Sequence, residues 1–359
     1  MNRRTLLYLA SLTACQALPT DTTDTTDTTG TQDTAATEPL CPTPPPPAAV
    51  EAVILEGSYQ KVTGIYALPD TLLGSGGLLG MVKVKDEGSS QPSRIQVFTS
   101  ADGLSWAAAR GCAIEQGEEG SWSGEGMGTP SMRQREGAVE VWYRADGEGR
   151  VQSVGHTRSE DGCGWPIPDA PALAPSEDWA SYAVVGPHVV ERDDGQLWMY
   201  YRGSDYENQS DSPLGLAVSE DGLTWSTHPE NPIVPIPASG WDSSLLADPH
   251  VWRSEGRWLM LYSGHDRETT PEMSANEVGL GKAIGLAASW DGVSWTRCGE
   301  APLLAGGVKS DNPFVWVEGA DTVVYYRITD LEDGSGGWIE RVRWADWPSW
   351  DDEASQAGR

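Results

Sequence analysis

The sequence predicts an all-β fold, a five-bladed β-propeller of four-stranded antiparallel blades. Two repeated phrases and one fixed spacing predict it. The first phrase is Ser-x-Asp-Gly-x-x-Trp, present at Ser100–Trp106, Ser159–Trp165, Ser219–Trp225 and Ser289–Trp295. Its aspartates, Asp102, Asp161, Asp221 and Asp291, follow one another at 59, 60 and 70 residues. The second phrase is a proline, a strand, a polar turn and a strand ending in aromatics. It runs from Pro130 to Arg144, Pro187 to Arg202, Pro249 to Tyr262 and Pro313 to Arg327. A tryptophan stands eight residues before the proline in three units: Trp122, Trp179 and Trp241. A fixed period with one supersecondary unit per copy marks a repeat architecture.

Each Asp-Gly lies between short apolar runs and predicts a two-residue type I′ hairpin turn, which needs φ > 0 at both residues. Ile95–Thr99, Leu214–Val218 and Ile284–Ala288 are the strands before it, and the tryptophan after it starts the next strand as a packing residue. With the proline phrase in front, one unit reads strand, turn, strand, loop, strand, Asp-Gly turn, strand, which is a four-stranded blade. The first unit has strands at Gly64–Leu68 and Leu78–Val82. The fifth has the proline phrase from Asp311 and a third strand at Trp338–Trp344 but no Asp-Gly turn. An N-terminal strand around Val53-Ile54-Leu55 completes the last blade and closes the ring, which leaves few free sheet edges.

The ends read differently. Arg3 and Arg4 precede a short apolar run from Thr5 to Ala14, too short to span a membrane as a helix. Leu12-Thr13-Ala14-Cys15 resembles a bacterial lipobox, so residues 1–15 are expected to be an export signal with Cys15 as the lipidated first mature residue; the alternative is an ordinary secretory signal. Residues 16–50, with Asp-Thr-Thr repeats and Pro44–Pro47, form a linker that cannot bury a core. The propeller spans 51–350, and 351–359 is a tail. The expected location is the cell envelope of a bacterium, anchored by lipid or else free outside the cytoplasm. The chain has a formal charge of −29, from 53 acidic and 24 basic residues, a poor match for nucleic acid or anionic lipid. Without Cys15, four cysteines remain: Cys41, Cys112, Cys163 and Cys298. They allow two disulfides in three connectivities in an exported protein. No cysteine–histidine cluster suggests a metal site, and a monomer is expected.

The joined phrases, counted five times over about residues 52–348, resemble the five-bladed propeller glycoside hydrolases of the arabinanase, levansucrase and invertase type, families 43 and 32. Sialidases differ: their Asp-box keeps a residue between Asp and Gly, whereas Asp and Gly are adjacent here. The resemblance implies a carbohydrate ligand in a central pocket and catalytic acids at the starts of the innermost strands. It leaves room for a calcium ion in the channel, as in some relatives; the residues themselves ask for no cofactor. Asp248 before Pro249 resembles the middle-blade aspartate, and Asp311 lies two residues before Pro313. Blades two and three have Thr129 and Gly186 at that place, and blade one offers Gln60, Lys61 and Thr63. No Glu-Gly-Pro or Glu-Cys phrase is present, so the acid set is incomplete, and glycoside cleavage needs two carboxyl groups.

Strand starts and second-strand ends should crowd one mouth of the channel. Asp248 and Asp311 are therefore the candidate catalytic carboxylates. His188, His250, Arg144, Arg202, Arg327, Tyr201 and Asp205 are candidate ligand contacts, with Trp179 and Trp241 as sugar platforms. A structural alternative for the charged sets is Arg–Asp pairing from one blade to the next. The insertion around His265–Lys282, with Glu272 and Glu277, accounts for the 70-residue interval and offers a replacement acid. The function expected is an exported carbohydrate-active propeller, a hydrolase if an enzyme. The alternatives are a non-catalytic glycan-binding module and a scaffold for a protein partner.

Overall fold

The computed structural model describes residues 40–347 except 46, 48, 89, 91–92, 206–210, 255, 267–280, 307–308, 319–320, 330–336 and 346. The chain divides into Met1–Pro39 and Leu40–Arg359, and all described residues belong to the second unit. The expected export signal, most of the 16–50 linker and the 351–359 tail thus lie outside the described residues. The part of the expected linker from Leu40 onward belongs to the folded unit. Cys41 is disulfide-bonded to Cys298, and Leu40 packs with Cys41 against buried residues that include Trp252 and Trp344.

The fold is all-β and propeller-like, built of successive antiparallel groups. β1 (Ala49–Leu55) comes first but belongs to the last group. β2 (Tyr59–Pro69), β3 (Leu78–Asp86), β4 (Arg94–Ser100) and β5 (Ser105–Ile114) pair in order. β6 (Gly126–Arg135), β7 (Ala138–Asp146) and β8 (Gln152–Ser159) form the next group. β9 (Ala183–Glu191), β10 (Leu197–Ser204), β11 (Leu214–Ser219) and β12 (Ser226–Thr227) follow. Then come β13 (Leu245–Ser254), β14 (Arg257–His265), β15 (Ala283–Ser289) and β16 (Thr296–Arg297). β17 (Lys309–Glu318), β18 (Asp321–Thr329) and β19 (Gly337–Trp344) end the order, and β1 pairs antiparallel with β19.

Hydrogen bonding merges these groups into sheets of eight, seven and four strands. The merging has two causes. Ile54 and Leu55 of β1 run on to pair parallel with Ser105 and Trp106 of β5, and Gln152 of β8 pairs with Ala183 of β9. The first strands β2, β6, β9, β13 and β17 each pack against the next, and β17 packs against β2, which closes a cycle.

The apolar core is divided in the same way, one cluster between each two successive groups. Leu79, Met81 and Val97 meet Val139, Val141 and Tyr143, for example, and Ile65, Phe98 and Trp106 meet Phe314, Tyr325 and Ile339. Strands covered on both faces read as continuous apolar runs rather than alternating ones. β14 shows this, with every residue buried. Each large side chain buried outright, such as Trp142, Tyr200 or Tyr325, contributes about 1.5–3 kcal/mol.

The Ser-x-Asp-Gly-x-x-Trp phrases are corners joined by the same bonds each time. In the third, Asp221 Oδ1 accepts from the backbone N–H of Leu223 and Thr224, Ser219 Oγ accepts from Gly222 N–H, and Trp225 Nε1 donates to the Gly222 carbonyl. Only the glycine has positive φ (70°, 75°, 79° and 77° at Gly103, Gly162, Gly222 and Gly292), so the expected type I′ turn is corrected to an aspartate-capped turn. The carboxylate takes over the hydrogen bonding that a second φ > 0 residue would have arranged. Neighbouring groups grip these corners: Trp142 Nε1 donates to the Gly222 carbonyl, and the Tyr200 hydroxyl donates to that of Gly292. The corner tryptophans therefore pack, as expected. The disulfides are Cys41–Cys298 and Cys112–Cys163; the second ties the corner after β8 to β5 of the first group.

Candidate active site: a ring of bulges

Every pairing of a first strand with its second strand slips at the same place. The register shifts between Val62 and Ile65, Gly128 and Ser131, Tyr200 and Arg202 (at Gly186-Pro187), Ala247 and His250, and Asp311 and Phe314. Proline cannot donate to the ladder and so favours a bulge. Thr63, Thr129, Gly186, Asp248 and Asn312 occupy equivalent positions. Four of them have left-handed backbone: Thr129 at φ 40°, Asp248 at 49°, Asn312 at 52° and Gly186 at 62°. A residue before proline is disfavoured in helical regions, and a strained non-glycine residue costs of the order of 1–3 kcal/mol. Bulges re-aim side chains and are common beside active sites.

The bulges touch. Ser263 Oγ donates to Asp248 Oδ2 at 2.9 Å and accepts from Asn312 N–H at 3.1 Å. A Cβ on Gly186 would stand 3.7 Å from Asp248 Oδ1, and one on Gly64 only 2.6 Å from the Asn312 carbonyl oxygen. Buried polar atoms without a partner gather here: Thr63 Oγ1, Thr129 Oγ1 and Arg202 Nε. Such atoms are few in folded proteins, and each calls for an explanation.

The two candidate carboxylates differ. Asp248 is half-buried at the bulge, and its recorded bond is from Ser263. Asp311 is fully buried one residue before the bulge position, which Asn312 takes instead. Arg327 grips it with Nε and Nη2 at 2.7 and 2.6 Å, Lys309 Nζ lies at 3.1 Å and Lys282 Nζ at 3.6 Å. Burial alone would raise its pKa, but Arg327, Lys309 and Lys282 outweigh burial and hold Asp311 far below the usual carboxylate range. It is a permanent anion whose charge is already spent on neighbours.

Arg144, Arg202 and Arg327 are equivalent in register, opposite Gly128, Val185 and Asp311. Arg144 pairs with Asp146 of its own strand at 2.7 and 2.6 Å. The expected Arg–Asp pairing between blades is thus corrected to pairing within a group, because the strand-two arginine meets an aspartate two residues on or directly opposite. Arg202 has neither. Among the described residues it donates from Nη2 to Gln152 Oε1 at 3.5 Å, and burial followed by Arg144 lowers its pKa to about 10. Two lysines join these charges: Lys61, which stands at the entry of the first group, and Lys83, which no motif marks. Lys61 leads into the first bulge, and its pKa is lowered by burial, Arg327 and Arg144. Lys83 lies against Gly128, and burial, then Arg144 and Lys61, push it down to about 7.

The remaining predicted residues divide. His188 and His250 lie with ring centres 4.0 Å apart and planes tilted by 46°, two positions after their bulge residues. His188 Nε2 is 2.9 Å from the Val251 carbonyl, and His250 rests edge-on against Phe314. Burial lowers His188 to about 4, and burial with His188 alongside holds His250 well below its usual value, so both are neutral. They pack directly beneath the bulge layer. Tyr201 turns away from it, stacked on Trp179 with its hydroxyl bonded by Asn231 Nδ2 at 3.2 Å. Trp241 stacks likewise on Tyr262. Both indoles lie over glycine pairs, Gly203 with Gly215 and Gly264 with Gly285, which explains the fixed spacing as a packing rule. Asp205 is half-buried just after β10. Glu272 and Glu277 lie outside the described residues. Among the described residues no group of three His, Cys, Asp or Glu side chains is arranged to hold a metal ion. The carboxylates at the ring are matched to cations or to Ser263, which does not fit a calcium site.

Comparison with known proteins agrees with this geometry. Residues 141–274 match the family model of the glycosyl hydrolases family 32 N-terminal domain. An uncharacterized protein of Mycobacterium tuberculosis is 32% identical over 143 residues, 38% of this chain and 45% of that protein. The sucrose-6-phosphate hydrolase of Bacillus subtilis is 30% identical over 109 residues, 30% of this chain and 22% of that enzyme. The chain therefore spans less than half the length of these curated relatives. A solved glycoside hydrolase superposes with a TM-score of 0.66 at 16% identity, covering 86% of this chain and 93% of that one. A thermostable family-43 glycoside hydrolase does so with a TM-score of 0.62 at 16% identity, covering 82% and 92%. The chain thus shares the propeller-like fold of these glycoside hydrolases, and its residues 141–274 match the family 32 N-terminal domain.

Proposed function

We propose that the protein is an exported five-bladed propeller that binds a glycan in a central pocket lined by the bulge ring, and that it works as a binder rather than a two-carboxylate hydrolase. The five antiparallel groups are read as the blades, supported by the closed cycle of first strands and the five interlayer clusters. The observation that carries the functional reading is the make-up of the equivalent bulge positions. Among Thr63, Thr129, Gly186, Asp248 and Asn312 only Asp248 carries a carboxyl group. Cleavage needs one group to protonate the leaving oxygen and another to attack or activate water. Asp311 cannot supply either role while Arg327, Lys309 and Lys282 hold it ionised and enclosed. Unpartnered hydroxyls at Thr63 and Thr129 suit the hydroxyl groups of a sugar. Export through a lipidated Cys15 is part of the proposal; two disulfides support it, since they persist in oxidising compartments.

One observation favours hydrolysis as a second reading. Asp248 is kept in strained left-handed backbone before a proline, as residues at reactive sites are. The partner acid would then come from Glu272 or Glu277. The test is a glycan array followed by a product-release screen on the bound glycans. Binding without turnover supports the leading reading. Sugar release that vanishes in Asp248→Asn establishes the hydrolase instead.

A further inference from the structure

We infer that the pocket's ligand is an acidic sugar, whose anionic group is drawn to the cations around Arg144 that lack an ion pair of their own: Lys61, Lys83 and Arg202. The inference rests on the glycan-pocket reading and names its substrate class.

The chain as a whole is strongly acidic, at −29, yet its ring of bulges is rich in cations. Lys61, Lys83, Arg144, Arg202, Lys282, Lys309 and Arg327 interact there with the carboxylates of Asp146, Asp248 and Asp311. Four of these cations have committed partners. Arg144 is taken by Asp146, and Arg327, Lys309 and Lys282 converge on Asp311. The other three have no ion pair among the described residues. Arg202 faces Val185 where its counterpart Arg327 faces Asp311, and Ser204 stands two residues on where Arg144 has Asp146, so Arg202 lacks the counter-ion that the other two arginines keep. Its Nε is buried without a partner. The Lys83 side chain lies across Gly128, with Nζ 3.6 Å from where a Cβ would stand, and the next residue is Thr129, whose buried hydroxyl has no partner. Arg144 and then Lys61 repel it, with Asp146 opposing them.

Lys61 is exposed, but Lys83 and Arg202 are half-buried, and crowded cations partly withdrawn from water are costly unless an anion completes the site. A neutral sugar supplies hydroxyls for Thr63 and Thr129 but no charge for this cluster. A sugar bearing a carboxylate or a phosphate ester supplies both, and arginine matches either group through two parallel hydrogen bonds.

The test is calorimetric titration of the full chain with four probes: trigalacturonic acid, glucose 6-phosphate, a neutral galactose trisaccharide and inorganic phosphate. At least one acidic sugar should bind about ten-fold or more tightly than the neutral sugar and than phosphate alone, which is one power of ten in Kd. Which of the two binds tells whether a carboxylate or a phosphate ester is read. The advantage of the acidic sugar over the neutral one should shrink in high salt and be lost in Arg202→Gln and in Lys83→Gln. Equal affinity for neutral and acidic sugars overturns the charge inference and leaves the glycan pocket standing. Phosphate alone binding as tightly as its sugar ester overturns it as well, since the site then reads an anion and no sugar. Binding of no probe, and of no glycan on the array, removes the pocket reading itself. If either variant fails to fold by circular dichroism, the salt dependence of the unaltered chain decides: an affinity gap that high salt does not narrow contradicts the inference.

Discussion

The corners at Asp102, Asp161, Asp221 and Asp291 and the bulges at Thr63, Thr129, Gly186, Asp248 and Asn312 repeat with the same blade period, but they treat their residues in opposite ways. Each corner keeps its serine, aspartate, glycine and tryptophan and makes the same bonds with them. Each bulge keeps its backbone distortion and changes its side chain. A repeated element whose side chains are fixed is doing the same mechanical task in every blade. A repeated backbone that carries threonine twice, glycine, aspartate and asparagine at one equivalent position is a frame for recognition. That contrast separates fold from site without reference to any relative, and it can be broken experimentally.

The largest effect should come from a residue that lies at the bulge ring but serves the frame. Asp311→Ala leaves Arg327, Lys309 and Lys282 without their shared anion and should destabilise by about 3–5 kcal/mol, the usual cost of breaking a buried ion pair. Urea denaturation measures it, and a loss below about 1 kcal/mol would return Asp311 to the list of free pocket acids. Next is the disulfide that anchors a corner. Replacing Cys112 and Cys163 by alanine opens a loop of 51 residues and should lower stability by about 2–4 kcal/mol. Thermal unfolding of this variant beside the unaltered chain, both without reductant, measures the difference. A smaller loss is expected at a corner itself. Asp221→Ala removes the acceptor of two backbone N–H groups and should lower stability by about 1–2 kcal/mol while leaving glycan affinity unchanged.

The pH dependence sharpens the charge assignment at the ring. Lys83 is lowered to about 7 by burial, Arg144 and Lys61, with Arg327 adding repulsion and Asp146 opposing it. Its ordinary value in the unfolded chain is 10.5. Between these values the unfolded chain binds a proton that the folded chain has released, so this lysine makes stability rise as pH rises through the window. Affinity for an acidic sugar runs the other way, falling by up to about ten-fold as pH climbs past 7 and the ammonium is lost. Titrations at several pH values check both slopes, and Lys83→Gln should flatten them. The smallest stability change is expected at Asp248→Asn. Asparagine tolerates left-handed backbone and can still accept from Ser263, so folding should change by less than about 1 kcal/mol.

Much of the fold was legible because its rules are local. Glycine with φ > 0, the aspartate cap and the proline bulge each leave a mark within a few residues, and their period gave the strand order. The strand before the first group was legible as well, although it divides its pairing between β19 and β5. The site was harder to read because its rules are not local. Asp248 stood out by its proline, but nothing near Asp311 in the sequence announces Lys282 and Lys309 closing on it. Lys61 and Lys83 belong to no motif and become neighbours of Arg144 only through the ring. Trp179 and Trp241 suggested sugar platforms by type and place. Gly203, Gly215, Gly264 and Gly285 show instead why these indoles lie flat on their own blades. Cysteine pairing was undecided for the same reason: Cys41 and Cys298 are 257 residues apart in sequence.

The most direct measurement sets one residue of each kind side by side: glycan affinity and unfolding free energy for Asp248→Asn and Asp221→Ala, in parallel with the unaltered chain. The bulge variant should lose affinity by about ten-fold or more and keep its stability, and the corner variant should lose stability and keep its affinity. Full affinity in Asp248→Asn, or affinity lost with the corner variant while it is still folded, would contradict the assignment of the site to the ring of bulges.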